Sequence, residues 1–294
     1  MRGLSDRDIE SLVSEAGLGQ ISKSTVSQIT KELRARYQAF RARGLGEVEL
    51  LVLFCDAIYL PTRPSGAKEG ASRSRHSPRP PARVLLDVVL GQRERLEDWL
   101  ETGRGLVRRG LRAPMLVVTD GAPGLIRAIE ELWPDGHRQR CTVHRRRNVA
   151  GKVPRSDAKL HERVEAANWA ALDEATSPAD GEARLRRLVA DLERSYPSAA
   201  ACLAENLPAL CVHLEYPLRL RSTNMLERSL EEVKRRTKVI GRFRGETSCL
   251  SLCWAVLDLF IASARGLALT ALERRQLAQI RAARMAQTPD SLTA

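Results

Sequence analysis

Two aspartates in this sequence close apolar runs. Residues 115–118 lead through Thr119 to Asp120, and Leu50-Leu51-Val52-Leu53-Phe54-Cys55 leads to Asp56. Such runs read as buried strands, and open α/β sheets place their ligands beyond the carboxyl ends of strands. A carboxylate there serves either as a turn residue or as a ligand-binding group. A third acidic candidate, Glu227, falls in the first turn of a helix capped by Ser222-Thr223-Asn224. The helix dipole favours a carboxylate at that position, so a plain capping acid is the competing role. Cys141-x-x-His144 offers two soft or borderline metal ligands on one helical turn. Two ligands are half a zinc site, and a packed, hydrogen-bonded pair is the alternative. Arg138, Arg140, Arg145, Arg146 and Arg147 add five cations around them.

The elements that must position these groups follow from periodicity and breakers. Ser5-x-x-Asp8 resembles a capping box and opens a helix with Ile9, Leu12 and Val13 on one face, closed by Gly17 and Gly19. Ser22 caps a second helix whose apolar positions Val26, Ile29, Leu33, Tyr37 and Phe40 recur at steps of three and four. Lys23, Ser24, Ser27 and Gln28 front it with groups suited to phosphates and base edges. A helix, a glycine turn and a polar-fronted helix form a helix-turn-helix pattern, which an ordinary helical hairpin also satisfies. Strands are expected over 48–59, 84–90 and 115–118, and a helix after the Gly-Ala-Pro-Gly break at 121–124. Residues 65–83 hold Arg73, Arg75, Arg79 and Arg83, several prolines and few apolar residues, and are expected to form an irregular basic loop. Residues 157–214 read as helical almost throughout, with Trp169, Leu172, Leu185, Leu188, Val189, Leu192 and Tyr196 facing a core. Residues 247–264 form an apolar helix, and the tail beyond is polar and helical.

The 294 residues carry 48 Lys+Arg against 36 Asp+Glu, a formal net charge of +12. That balance points to a polyanion, most simply nucleic acid, although a generally basic proteome would produce it too. Six scattered cysteines without a CxxC pair or a secretory leader suggest reduced thiols in a soluble, cytoplasmic protein. The most apolar segment, 250–264, is too short to span a bilayer and contains Asp258.

Taken in order, the motifs resemble those of the Mutator-like family of bacterial insertion-sequence transposases. The matching stretches are Asp56-Ala-Ile-Tyr59, Val118-Thr-Asp-Gly-Ala-Pro-Gly-Leu125, Gln139-Arg-Cys-x-x-His144 with Arg147-Asn148, and Ser222-Thr-Asn-x-x-Glu-Arg228 running into Lys234-Arg-Arg-Thr-Lys238. Residues 21–33 and 196–202 are similar too, so the resemblance spans roughly 4 to 284. It implies an α/β fold with an RNase H-like mixed-sheet core, an all-α insertion and a helix-turn-helix-like N-terminal segment. It also implies a catalytic and metal-holding DDE triad of Asp56, Asp120 and Glu227, with Mg²⁺ (or Mn²⁺) as cofactor. Two such metals stand about 3.5–4 Å apart in strand-transfer sites, and hard cations favour carboxylate oxygens.

The domain expectation is a DNA-binding segment over 1–43, the first part of the core over 47–156, a helical insertion over 157–221, core helices over 222–264 and a tail helix over 265–294. DNA contacts are expected from Lys23, Ser24, Ser27, Gln28, Arg145, Arg146, Arg147, Lys234, Arg235 and Arg236. Active-site support is expected from Cys141, His144, Asn224 and Arg228. The partners implied are double-stranded DNA, at element ends and target, and further copies of the chain, with no membrane.

Three departures from the family pattern stand out. The family has a longer N-terminal region than this chain. Residues 65–83 replace an apolar strand that should pair beside Asp56. The stretch 216–221 is a few residues short. These departures set a catalytically impaired remnant, binding DNA or a sister transposase, against an active transposase. An RNA-processing nuclease on the same core fits the charge but not the motif order.

Overall fold

The computed structural model describes residues 22–62, 66–68, 71–76, 83–91, 95–154, 158–216, 220–243, 245–263 and 269–287. Its strands are β1 (Leu50–Asp56), β2 (Leu60–Thr62), β3 (Gly66–Lys68), β4 (Ala71–His76), β5 (Arg83–Asp87), β6 (Leu116–Thr119) and β7 (His137–Arg140). Its α-helices are α1 (Lys23–Ala42), α2 (Leu96–Arg108), α3 (Pro123–Leu132), α4 (Thr142–Ala150), α5 (Ala158–Asp173), α6 (Pro178–Glu193), α7 (Pro197–Ala204), α8 (Pro208–Cys211), α9 (Asn224–Thr237), α10 (Glu246–Ser263) and α11 (Ala271–Gln287). The architecture is mixed α/β and mostly helical.

Five strands form one sheet in the order β5-β4-β1-β6-β7, and β2 pairs with β3 apart from it. β4 runs antiparallel to both β1 and β5, whereas β1, β6 and β7 are parallel to one another. All seven residues of β1 are buried because helices cover both faces of the sheet, which explains its unbroken apolar run. On one face Val52, Phe54, Leu116 and Val118 pack with Leu226, Leu230 and Val233 of α9 and with Trp254 and Leu257 of α10. On the other, Leu53, Cys55 and Val117 pack with Trp99 and Leu106 of α2 and with Leu125 and Ile129 of α3. A third apolar cluster lies among the helices between β7 and α9, with Leu172, Leu185, Leu188 and Leu192 at its centre. Trp169 and Tyr196, expected in that core, are only partly buried. Gln139 couples these helices to the sheet. Its Nε2 donates to Leu210 O at 3.0 Å, and its Oε1 accepts from the His213 N–H at 2.7 Å.

Ser22 caps α1 as expected, its Oγ accepting from the Thr25 N–H at 3.2 Å. The helix docks through Tyr37 and Phe40, which meet Trp254, and the Tyr37 hydroxyl donates to Val88 O at 2.7 Å. Beside it the buried Asp87 carboxylate joins α1 to the end of α2 through Arg41 at 3.0 Å and Arg109 at 2.9 Å. Ile29, expected in the apolar stripe, is 56% exposed, because α1 meets the core mainly along Val26, Tyr37 and Phe40. The first helix of the expected helix-turn-helix lies outside the described residues, as does part of the stretch 216–221 that the sequence makes short.

The expected irregular loop over 65–83 is corrected by the structure. Within it, Ala71–His76 is a central strand, with Asp56 opposite Ala71 and Leu53 opposite Ser74 on one side and Val84 opposite Ser74 on the other. Ladder hydrogen bonds are made by the backbone, so a sequence without large apolar residues can still fill a gap between two apolar strands. Residues 77–82 lie outside the described residues.

A proline at Ser74 distinguishes a strand from a loop. Ser74→Pro removes a ladder donor from the middle of the sheet and is expected to cost about 3 kcal/mol or more. Urea unfolding of the variant against the parent checks this. A midpoint unchanged by the proline would mean that residues 71–76 carry no ladder.

Candidate active site

The register between β1 and β6 brings two carboxylates level. Val52 stands opposite Leu116, Leu53 opposite Val117 and Phe54 opposite Val118, a constant offset of 64. Continued two residues past the last pair, just beyond the end of β6, the same offset brings Asp120 level with Asp56, and the Asp120 charge bears on the Asp56 carboxyl. Side chains alternate along a strand, so Asp56 falls on the face of Phe54. That is the face on which α9 packs. Leu226 and Leu230 of α9 lie in the same apolar cluster, with Glu227 between them in its first turn.

Each carboxylate is held by its own turn. Asp56 Oδ1 accepts the Ala57 N–H at 2.9 Å, and Asp120 Oδ1 accepts the Ala122 N–H at 3.0 Å. Gly121, between Asp120 and Ala122, has φ +93°, a left-handed conformation in which glycine is unstrained. A Cβ there would lie 2.1 Å from Arg140 Nε, so the glycine also lets Arg140 lie across the turn. Arg140, at the end of β7, is largely buried and feels the Asp120 charge.

Glu227 is embedded in a hydrogen-bonded seam between α4 and α9. Its Oε2 accepts from Arg147 Nη1 at 2.7 Å, and its Oε1 accepts from the Thr223 hydroxyl at 3.0 Å. His144 Nδ1 stands 3.6 Å from the same Oε1. Thr223, fully buried, also directs its backbone N–H at Cys141 Sγ at 3.4 Å, with its hydroxyl oxygen at the same distance from the sulfur. Thr142 closes the seam, its N–H and hydroxyl both donating to Arg221 O at 2.9 and 3.0 Å. The sequence offered Thr223 as part of a capping run and of the Ser222-Thr-Asn motif, and its role as the hub became visible only once α4 and α9 were placed together.

Charge crowding shifts three groups here. Burial, chiefly, pushes the Asp56 carboxyl up to about 7. The Ala57 N–H and His144 oppose that shift, while the Asp120 and Glu227 charges add to it. His144 is raised to about 9, first by its hydrogen bond with Cys141 against the cost of burial, and further by the Cys141, Glu227 and Asp56 charges. Burial alone would raise the Cys141 thiol, but hydrogen bonds from His144 and Thr223 outweigh it and lower its pKa. The three expected acids and the expected support residues Cys141 and His144 thus share one electrostatic site. Asn224 is the first residue of α9 and partly exposed, and Arg228 is exposed beyond Glu227.

The basic residues divide. Arg145, expected at DNA, is instead 1% exposed, paired with Glu205 at 2.7 Å and donating to the Glu205 carbonyl at 2.9 Å. Helical spacing turns it inward toward α7, so it is a structural cation. Arg146 pairs with Glu165, and Arg147 is half exposed at Glu227. Lys234, Arg235 and Arg236 lie exposed in the last turns of α9, the two arginines flanking Glu232. Ser24, Ser27 and Gln28 are exposed on α1. Lys23 opens that helix. None of the six cysteines is in a disulfide. Among the described residues no helix is long and apolar enough to cross a membrane.

A family model described as Transposase, Mutator family, matches residues 1–260. The transposase for insertion sequence element IS6120 of Mycolicibacterium smegmatis is 28% identical over 267 residues, covering 88% of this chain and 80% of that protein. The IS1201 transposase of Lactobacillus helveticus is 27% identical over 266 residues, 88% of this chain and 68% of the relative. The IS1081 transposase of Mycobacterium tuberculosis is 30% identical over 297 residues, 94% and 68% of the two chains.

The raised Asp56 carboxyl has a definite sign. The folded chain holds a proton that the unfolded chain releases near pH 4, so burying Asp56 costs stability increasingly as pH rises from about 4 to about 7. A gap from 3.8 to about 7 corresponds to about 4 kcal/mol at most. Without divalent cations, Asp56→Asn is expected to stabilise the protein at pH 8 and leave it nearly unchanged at pH 4, as read by urea unfolding at both values. Equal effects at the two pH values would refute the shift.

Proposed function

Because this chain belongs to the Mutator family of transposases, we propose that Asp56, Asp120 and Glu227 are the carboxylates with which it cleaves and rejoins DNA strands. The observation that carries this reading is the β1–β6 register, whose continuation brings Asp120 level with Asp56, together with the Asp120 and Glu227 charges that bear on Asp56. The sheet order, with an antiparallel half β5-β4-β1 and a parallel half β1-β6-β7, supports an RNase H-like core.

The donor set fits hard divalent cations. The Asp120 and Glu227 charges both bear on Asp56, which is so crowded by burial and by these acidic neighbours that its charge lacks full compensation within the chain. Asp56, Asp120 and Glu227 would hold Mg²⁺ or Mn²⁺, the oxygen-seeking ions such groups select. When bound, a pair of these ions activates the attacking oxygen and stabilises the leaving oxygen of an in-line displacement.

The protein's own residues orient and balance these groups. Thr223 fixes one oxygen of Glu227, and the His144 imidazolium and Arg147 balance its charge. Arg140 does the same for the charge of Asp120. Arg147, half exposed, is also placed to pass from Glu227 to a DNA phosphate. The exposed face of α1 and the basic end of α9 supply further phosphate contacts, and assembly into a homo-oligomer would let two such sites act on two element ends. The impaired-remnant alternative rested on three departures, one of them a missing strand beside Asp56. A strand pairing along β1 up to Asp56 takes away that one ground, and the catalytic reading is the one proposed.

Asp56→Asn, Asp120→Asn and Glu227→Gln preserve size and remove charge. Each is expected to lower metal-dependent cleavage of a substrate carrying the element's ends by at least about a thousandfold. Any one of the three that kept near-parent activity would remove that residue from the set.

DNA affinity is expected to fall steeply with salt. Replacing Lys234, Arg235 and Arg236 together by Ala should flatten the slope of log K against log salt by about one unit for each phosphate no longer neutralised. Arg145→Ala, by contrast, should leave the slope unchanged and destabilise the fold by about 3 kcal/mol. An altered slope without destabilisation would return Arg145 to the DNA surface.

A further inference from the structure

We propose that Cys141, His144 and Glu227 form a second cation site, selective for a thiophilic divalent ion such as Zn²⁺ and sharing Glu227 with the three-carboxylate site. The inference rests on the proposed function only for the consequence of that sharing. The sequence supplied two donors here, half of a zinc set. The fold brings a third, and one ligand atom from each residue lies within 4.8 Å of the others.

The chemistry differs from that of the carboxylate triad. Sulfur, imidazole nitrogen and carboxylate oxygen are the three ligand types zinc accepts, at about 2.3, 2.0–2.1 and 2.0–2.2 Å. Ligands of a tetrahedral ion at those lengths stand about 3.5 Å apart; His144 Nδ1 and Glu227 Oε1 already have that spacing at 3.6 Å, and closing the set around the sulfur takes at most about an ångström. Rotations of the His144 and Glu227 side chains, with relative exposures of 26% and 14%, can supply that movement. Mg²⁺ demands oxygen ligands in an octahedron and has no use for the sulfur.

A second observation points the same way. Cys141 Sγ is fully buried and already receives two backbone N–H groups, from His144 at 3.5 Å and from Thr223 at 3.4 Å. Outer donors of this kind orient a metal-bound ligand and balance its charge. Cys141 and His144 lie one turn apart at the start of α4. Their distance to α9 is fixed by the bonds from Thr142 to Arg221, so the donor set is built by rigid elements. The Thr223 hydroxyl lies against all three donors, 3.0 Å from Glu227 Oε1, 3.3 Å from His144 Nδ1 and 3.4 Å from Cys141 Sγ, at the place of a fourth ligand. An ion bound at this site withdraws Glu227 from Asp56 and Asp120, so zinc and the hard cation exclude each other through one shared carboxylate.

Cobalt(II) reports on such a site directly, because a thiolate ligand adds a near-ultraviolet charge-transfer band and tetrahedral geometry gives strong visible bands. The full chain, stripped with a chelator, is titrated with Co²⁺ and then with Zn²⁺. The expected result is one Co²⁺ per chain with a thiolate band, displaced by one equivalent of Zn²⁺. Cys141→Ser should abolish the band, and His144→Asn and Glu227→Gln should each weaken binding at least tenfold. Asp56→Asn should leave the spectrum intact. His144→Asn serves as the deciding variant if Cys141→Ser does not fold. Absence of the band, or its survival in Cys141→Ser, overturns the site. Mn²⁺ binding untouched by Asp56→Asn would count against the three-carboxylate reading and leave this site standing.

Discussion

A strand buried on both faces has little freedom of register, and the pairing of β1 with β6 is the constraint on which the rest of this protein depends. Slipping either strand by one residue would carry Phe54 or Val118 to the opposite helix layer and disrupt the apolar row on each face. The carboxylates that end these strands are therefore aligned by apolar packing two residues away, not by any attraction between them. Desolvation, with their mutual repulsion added, raises the Asp56 carboxyl to about 7. Hydrophobic burial holds in place a pair of groups that electrostatics alone would separate.

The third acid reaches them by a different device. α9 is anchored by Leu226, Leu230 and Val233 against the sheet, which sets its height. Its rotation is set by polar bonds to α4, from Thr142 to Arg221 and from Thr223 to Cys141 and Glu227. Buried polar groups left unpaired are costly, so this seam has few alternative arrangements. The helices α5 to α8 supply none of the site residues described above. They fix its far side through Gln139, whose amide clamps Leu210 and His213, and through the buried Arg145 against α7.

Cations at the site are placed to match its acids, one by one. Arg140 crosses the glycine turn beside Asp120, His144 and Arg147 flank Glu227, and among the described residues the cation that bears on Asp56 is the more distant His144 imidazolium. That asymmetry makes Asp56 the least compensated of the three and the one most in need of an added cation. The high overall basic charge is thus partly internal. Arg41, Arg109 and Arg145 serve the fold, and the cations left for a polyanion include those on α1, at the end of α9 and at Arg147.

By itself the sequence determined the apolar strands, the acids that close them, the helix start at Glu227 and the Cys-x-x-His pair, because each is a local pattern of burial, turn or cap. It also carried the order of motifs by which the family is identified. It misjudged 71–76, where pairing rests on the backbone and no side-chain pattern announces it, and Arg145, whose inward turn depends on a helix far along the chain. The convergence of Asp56 with Asp120 needed the strand register. The meeting of Cys141, His144, Thr223 and Glu227 needed the packing of α9 on α4. These residues are remote from one another in sequence, and only burial of the shared apolar face fixes which of them come together.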